Sequence, residues 1–290
     1  MKQAGLIGYP VAHSLSPQML QAAFDVLGVD ARYTLWETRP DRLAERIASL
    51  RSPGVLGANV TIPYKQDIVP LVDECDPLAM RIGAINTIVN NGSRLVGYNT
   101  DAPGFTRALA EFAAFDCRGK KAVILGTGGA ARDAAVALLG NEVEELILLG
   151  RTEEHINGLL HHLRTLTVMI QGTSHLTGAP LISPEINRFL YAADLVVNAT
   201  PVGLMDDDTT LLFNINVLPT TSLVMDMIFN PPLTPLLRAA RAHGCRVLNG
   251  LSMLLYQGAL AFELWVGRPA PLEVMRSALG LVKEGWTTVK

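Results

Sequence analysis

The chain has 290 residues, 49% hydrophobic and 18% charged, with a formal net charge of -3. That balance supplies a core and excludes a disordered chain, and the charge gives no reason to expect nucleic acid as a partner. The length suits one large domain or two modest ones. Cys75, Cys117 and Cys245 are odd in number, far apart and outside any CxxC. This excludes a disulfide framework and a zinc site, and it suits a reducing, cytoplasmic setting.

The N-terminal MKQAGLIGYP is too short an apolar run for a signal segment. The most apolar later stretch, 251–266, holds Gln257 and Glu263 and is shorter than a bilayer span, so no membrane association is expected. Residues 3–8 read as a short strand. Ser16-Pro17 opens a helix, with Ser16 as N-cap and Pro17 at N1. Met19, Leu20, Ala23, Phe24 and Leu27 follow at helical spacing. Residues 32–37 alternate as a strand, 41–50 form an amphipathic helix, 55–62 a strand, and 66–72 a further helix. Another helix begins near Gly104. Residues 120–126 are a continuous apolar strand, followed by a glycine-rich turn, a helix over 130–139 and a strand over 145–150. Residues 195–198 and 223–227 read as later strands, 164–190 as a strand flanked by loops, and 236–290 as mostly helical. Alternating strands and helices imply an α/β protein with parallel or mixed sheets covered on both faces.

GTGGAA at 126–131 follows a buried strand and opens a helix. Glycines there let the backbone approach a pyrophosphate, and the helix start offers free N–H groups. Gly126, Thr127, Gly128, Gly129 and Ala130 are therefore candidate cofactor contacts. After the next strand an NAD-binding chain usually carries a carboxylate for the ribose hydroxyls. Here the residue is Arg151, followed by Thr152. A guanidinium can clamp a 2′-phosphate with charge-assisted hydrogen bonds, so NADP is favoured over NAD. Glu153 and Glu154 oppose that pull, and His155 is a possible second contact. The run Asp206, Asp207, Asp208 has no histidine or glutamate nearby at ligand spacing, so no metal site is expected.

The N-terminal half gathers polar residues at strand ends. Ser14 and Ser16 sit at a loop-to-helix junction. Asn59 and Thr61 alternate with apolar neighbours and share one strand face. Lys65 lies two residues beyond Pro63. Asn86 and Thr87 follow a small-residue turn, and Asn99, Thr100 and Asp101 end another strand. Such a set suits a polyhydroxylated small molecule, with a cation–carboxylate pair for proton transfer.

In this order GYPVAHSLSP, GANVTIPYK, IGAINT, GYNTD, GTGGAA, NATPVG and GLSMLLYQ resemble the shikimate dehydrogenase family, from residue 5 to about 267, with a weak patch at 160–190. The resemblance implies three segments: an α/β substrate domain over 1–103, an NADP-binding Rossmann domain over 104–236, and C-terminal helices over 237–290 that rejoin the first. It implies NADPH-dependent, reversible reduction of 3-dehydroshikimate to shikimate, a step toward the aromatic amino acids, in a monomer or homodimer. By position, Ser14, Ser16, Thr61, Asn86, Asp101 and Gln257 match the substrate contacts. Lys65 and Asp101 match the catalytic pair. Residues 126–130, Arg151, Met227 and Gly250 match cofactor contacts.

Three positions depart from the family's pattern. Phe229 replaces a tyrosine, Gly150 an asparagine, and Ala102-Pro103 the glycine that usually follows the aspartate. Phe229 and Gly150 keep open a quinate or dual-substrate enzyme with relaxed cofactor choice. A catalytically silent relative would be expected to lack Lys65 or Asp101, and both are present.

Overall fold

The computed structural model describes residues 1–92, 94–205 and 209–281. The Asp206–Asp208 run therefore lies outside the described residues. The described residues form two compact units, one of Met1–Gly104 with 254–281, the other of Phe105–Met253.

The first unit opens with β1 (Lys2–Gly8), α1 (Ser16–Val26), β2 (Ala31–Glu37), α2 (Leu43–Ser49) and β3 (Val55–Val60). It continues with β4 (Glu74–Cys75), α3 (Pro77–Ile82), β5 (Thr87–Asn91) and β6 (Arg94–Tyr98), and then α4 (Asp101–Ala113) begins. The six strands form a mixed sheet in the order β2-β1-β3-β5-β6-β4, in which β5 runs antiparallel to both its neighbours. One face carries an apolar cluster around Ile47, Leu50, Tyr64, Ile68 and Ile88. The helix expected over 66–72 is instead a single 3-10 turn, Val69–Leu71. Pro70 lacks an N–H and cannot propagate an α-helix. α1 begins one residue earlier than expected, with Leu15 rather than Ser16 as the cap and no side-chain cap bond. Ser14 Oγ instead accepts from the backbone N–H of Ser16 at 3.2 Å.

The second unit contains β7 (Lys121–Leu125), α5 (Gly129–Gly140), β8 (Glu145–Gly150), α6 (Glu153–Met169) and β9 (His175–Pro180). It continues with α7 (Ile186–Tyr191), β10 (Leu195–Asn198), β11 (Leu223–Asp226), α8 (Pro235–Ala242) and β12 (Arg246–Asn249). All six strands are parallel, in the order β12-β11-β10-β7-β8-β9. This is the doubly wound arrangement, whose order reverses between β7 and β10. Its strands read as continuous apolar runs because both faces are buried.

Two expectations change here. Residues 164–169 continue α6, because Leu159, Leu160, Leu163 and Leu166 bury one helical stripe, and α7 follows β9. Residues 237–253 belong to the second unit, because β12 pairs in parallel with β11 from Leu223↔Arg246 to Asp226↔Asn249.

The last elements of the described residues are α9 (Leu251–Val266) and α10 (Leu272–Ala278). From Leu254 onward these helices lie in the first unit. Trp265 Nε1 donates to Ile88 O at 2.9 Å, and Gln18 Nε2 donates to Ala278 O at 3.0 Å. No helix among the described residues is long and apolar enough to cross a membrane.

Candidate active site

In the first unit, Lys65 Nζ and Asp101 Oδ2 are 2.6 Å apart. Their side chains are only 14% and 10% exposed, so little water screens the pair. Both backbones are fixed. Lys65 follows Tyr64, whose side chain is buried and whose hydroxyl donates to Thr38 O at 2.6 Å. Lys65 O accepts from Ile85 N at 2.8 Å. Asp101 is the first residue of α4, where the helix dipole favours a carboxylate. The preceding Asn99 locks that start, accepting from Ala102 N at 3.1 Å and donating to Ala84 O at 3.1 Å. Gly104 completes the arrangement, since a Cβ there would lie 2.8 Å from Gln257 N. Glycine at 104 is what lets α4 and α9 approach within this unit.

A buried amide and hydroxyl network adjoins the pair along the chain, since Thr100 precedes Asp101 and Asn86 follows Ile85, whose N–H donates to Lys65 O. Asn86 Oδ1 accepts from Thr100 N at 2.7 Å, and this backbone donor fixes the amide's orientation. Asn86 Nδ2 then faces Thr100 Oγ1 at 2.9 Å and Gln257 Oε1 at 3.4 Å. Gln257 is oriented in turn by its Nε2, which donates to Leu254 O at 2.8 Å. Thr61 joins the Lys65 turn through its carbonyl, which accepts from Tyr64 N at 3.0 Å. Asn86, Gln257, Lys65, Asp101 and Thr61 are thus held by short bonds within one unit. Ser14 and Ser16 are joined to each other at the start of α1, while Tyr33 Oη donates to Asn59 of the network at 2.8 Å. The reading of the sequence passed over Tyr33. Its hydroxyl lies on a strand that looks like any half-buried strand, so the pattern carried no signal for it.

In the second unit, the loops after β7 and β10 meet at the point where strand order reverses. Gly126 has φ +110°, and a Cβ there would stand 2.9 Å from Ala199 O. Gly128 caps α5 without any side-chain bond, and a Cβ at Gly128 would meet open space. The first N–H groups of α5 therefore face a side-chain-free approach, which suits a pyrophosphate. Met227 N bonds Asn198 O at 3.0 Å and Gly250 N bonds Ile228 O at 3.2 Å, so Met227 and Gly250 lie together at the carboxyl ends of β11 and β12. Arg151 and Thr152 are exposed at the end of β8. Arg151 pairs with no carboxylate among the described residues, including Glu153 and Glu154. Thr152 Oγ1 and His155 Nδ1 lie 2.8 Å apart. Gly150 leaves no room for a side chain, since a Cβ would lie 2.7 Å from Ile156 and 2.8 Å from Thr127. These residues fit a dinucleotide with its adenosine phosphate near Arg151.

A second buried carboxylate stands near this site. Asp226 accepts from Thr234 Oγ1 at 2.6 Å, from Asn198 Nδ2 at 3.0 Å and from Ile228 N at 3.0 Å. Burial pushes its carboxyl above the ordinary value, and the three hydrogen bonds only partly offset this.

The chain is similar to known proteins over most of its length. The family model described as "Shikimate dehydrogenase substrate binding domain" matches residues 6–88, and "Shikimate 5'-dehydrogenase C-terminal domain" matches residues 250–279. The chain is 43% identical over 280 residues to the shikimate dehydrogenase (NADP(+)) of Desulforamulus reducens, covering 95% of this chain and 93% of that one. The crystal structure of shikimate 5-dehydrogenase from Thermus thermophilus, in complex with NADP(H) and shikimate, superposes with a TM-score of 0.85 at 35% identity. That match covers 97% of this chain and 99% of the other. Quinate dehydrogenase from Corynebacterium glutamicum, in complex with NAD, superposes with a TM-score of 0.87 at 29% identity, covering 97% and 99%. With a buried lysine–aspartate pair in one unit, a glycine-rich dinucleotide turn in the other, and relatives aligned over nearly their whole length, the chain belongs to the shikimate dehydrogenase family.

Proposed function

We propose that this chain catalyses the reversible, NADPH-dependent reduction of 3-dehydroshikimate to shikimate, a step toward the aromatic amino acids. The first unit holds the acid and the second holds the cofactor. The observation that carries this reading is the 2.6 Å Lys65–Asp101 pair set among oriented amides and hydroxyls. The bound nicotinamide supplies the hydride.

As the ketone is reduced, negative charge grows on its oxygen. The Lys65 ammonium stabilises that charge and donates the proton. Asp101 keeps the lysine charged and aimed. In the oxidative direction the same two groups take the proton from the alcohol. Ser14, Ser16, Thr61, Asn86 and Gln257 supply donors and acceptors for the hydroxyls and carboxylate of the substrate. Residues 126–130 hold the pyrophosphate, Arg151 and Thr152 the 2′-phosphate, and Met227 and Gly250 the nicotinamide end.

A second reading, oxidation of quinate beside or instead of shikimate, is favoured by Phe229, which offers no hydroxyl to a substrate where the family carries tyrosine. Initial rates with shikimate and quinate, each with NADP+ and NAD+, decide between the two. Shikimate with NADP+ is expected to give the highest kcat/KM. Equal efficiency with quinate establishes the second reading, and equal efficiency with NAD+ removes the role given to Arg151. A cytoplasmic enzyme, monomeric or homodimeric, accords with the cysteine usage and composition.

A further inference from the structure

Tyr33 is buried on β2, in register with Ala4 of β1, which is in register with Gly57 of β3. The space a side chain would take at Gly57 is filled by Ile88 O and Trp265 Nε1, 2.0 and 2.5 Å from a Cβ there. The Tyr33 hydroxyl reaches Asn59, two residues beyond Gly57. Tyr33 Oη lies 2.8 Å from Asn59 Oδ1.

The direction of this bond is fixed by the other end of the amide. Asn59 Nδ2 lies 3.3 Å from Asn86 O, a carbonyl that can only accept, and 3.1 Å from Thr87 Oγ1. Asn59 Oδ1 must therefore accept, and Tyr33 must donate. Thr87 Oγ1 continues the chain to Thr100 Oγ1 at 3.1 Å and to Asn86 Oδ1 at 3.3 Å. The tyrosine is itself tightly held. Its backbone N–H donates to Gln21 Oε1 of α1 at 2.9 Å, and the Trp265 ring of α9 lies 6.1 Å away, tilted 42°.

We propose that Tyr33 is a positioning residue for the acid-binding site. Its single hydroxyl sets Asn86 through Asn59 and Thr87. This rests on the reading of the site given above. A merely structural tyrosine would add stability without tuning affinity for the acid. A positioning tyrosine is tied to a group that meets the ligand, so losing the hydroxyl loosens that group.

The test is Tyr33→Phe in the full-length protein, which removes one oxygen and keeps the ring. Shikimate affinity is measured by calorimetry and by KM, alongside kcat, KM for NADP+ and Tm. The expected result is weaker shikimate binding by about two- to twelvefold, the range of one lost hydrogen bond, with kcat and KM for NADP+ unchanged within error. Thr87→Val breaks the same chain one link further and is expected to give the same split. A folded variant of either kind that binds shikimate as tightly as the parent overturns the proposal. So does failure of both variants to fold, which would make the chain of bonds structural only. If the unmodified protein binds no shikimate, the proposed function fails and the role of Tyr33 falls with it. Normal binding by the parent with unchanged Tyr33→Phe overturns the role of Tyr33 alone.

Discussion

Each unit of this protein buries an aspartate at the carboxyl-terminal edge of its sheet, and the two are treated in opposite ways. Asp101 faces an ammonium at 2.6 Å. Asp226 faces only neutral donors: a threonine hydroxyl, an asparagine amide and a backbone N–H. The first arrangement keeps two charges ready in a site with little water, which is what proton transfer needs. The second holds a carboxyl as an acceptor for the loops after β10 and β11. On the proposed function, the partner rather than burial alone is what distinguishes the catalytic carboxylate.

The comparison breaks most sharply at Lys65. Lys65→Ala is expected to lower kcat by about 100- to 10,000-fold, the usual worth of a placed proton donor, with little change in KM for the acid. Steady-state kinetics on the folded variant check this, and near-normal turnover refutes the assignment. Next in size is the glycine turn of the second unit. Gly126→Ala forces a side chain into φ +110° and against Ala199 O, and is expected to cost about 1–3 kcal/mol of stability. Denaturant titration measures it, and a neutral result would show that the turn relaxes.

Arg151→Ala tests the cofactor edge of the same unit. Because the guanidinium is exposed, a loss of about tenfold in KM for NADP+ is expected, with KM for NAD+ unchanged. An equal change for both cofactors would take the 2′-phosphate away from Arg151.

The smallest effect is expected at Asp226 and depends on pH. Its carboxyl binds a proton more tightly in the folded chain than in the unfolded one, where the ordinary value is 3.8. The stability linked to that proton is present in full below 3.8 and is lost as pH rises through the folded value. Asp226→Asn cannot ionise. Its stability relative to the parent is therefore expected to improve as pH rises from acid toward neutral. Denaturation at several pH values follows the difference, and a pH-independent gap would mean that Asp226 is not desolvated as described.

Much of the fold was legible because its signals are local. The parallel strands of the second unit are unbroken apolar runs, and the glycine turn stands between one such run and a helix, so β7, α5 and β8 could be read directly. Lys65 and Asp101 stood out as lone charges in polar loops. Other features escaped. The run 66–72 has helical composition, but Pro70 reduces it to one turn. Residues 164–169 look aperiodic beside the loop that follows, although their leucines complete the buried stripe of α6. Residues 246–249 read as part of a helical tail, yet they are strand because β11 offers an open edge.

The sequence by itself determined the two kinds of unit, the glycine turn, the lysine and aspartate, and the arginine after β8. These rest on spacing within a few residues and on side-chain chemistry that does not depend on neighbours. Only the tertiary structure decided which groups meet. Asn86 and Gln257 are 171 positions apart, and Tyr33 and Asn59 are 26 apart. Whether a polar side chain is an idle surface group or part of an oriented site depends on partners that periodicity does not encode. The pairing of β2, β1 and β3 brings Tyr33 to Asn59, and α9 carries Gln257 back to Asn86.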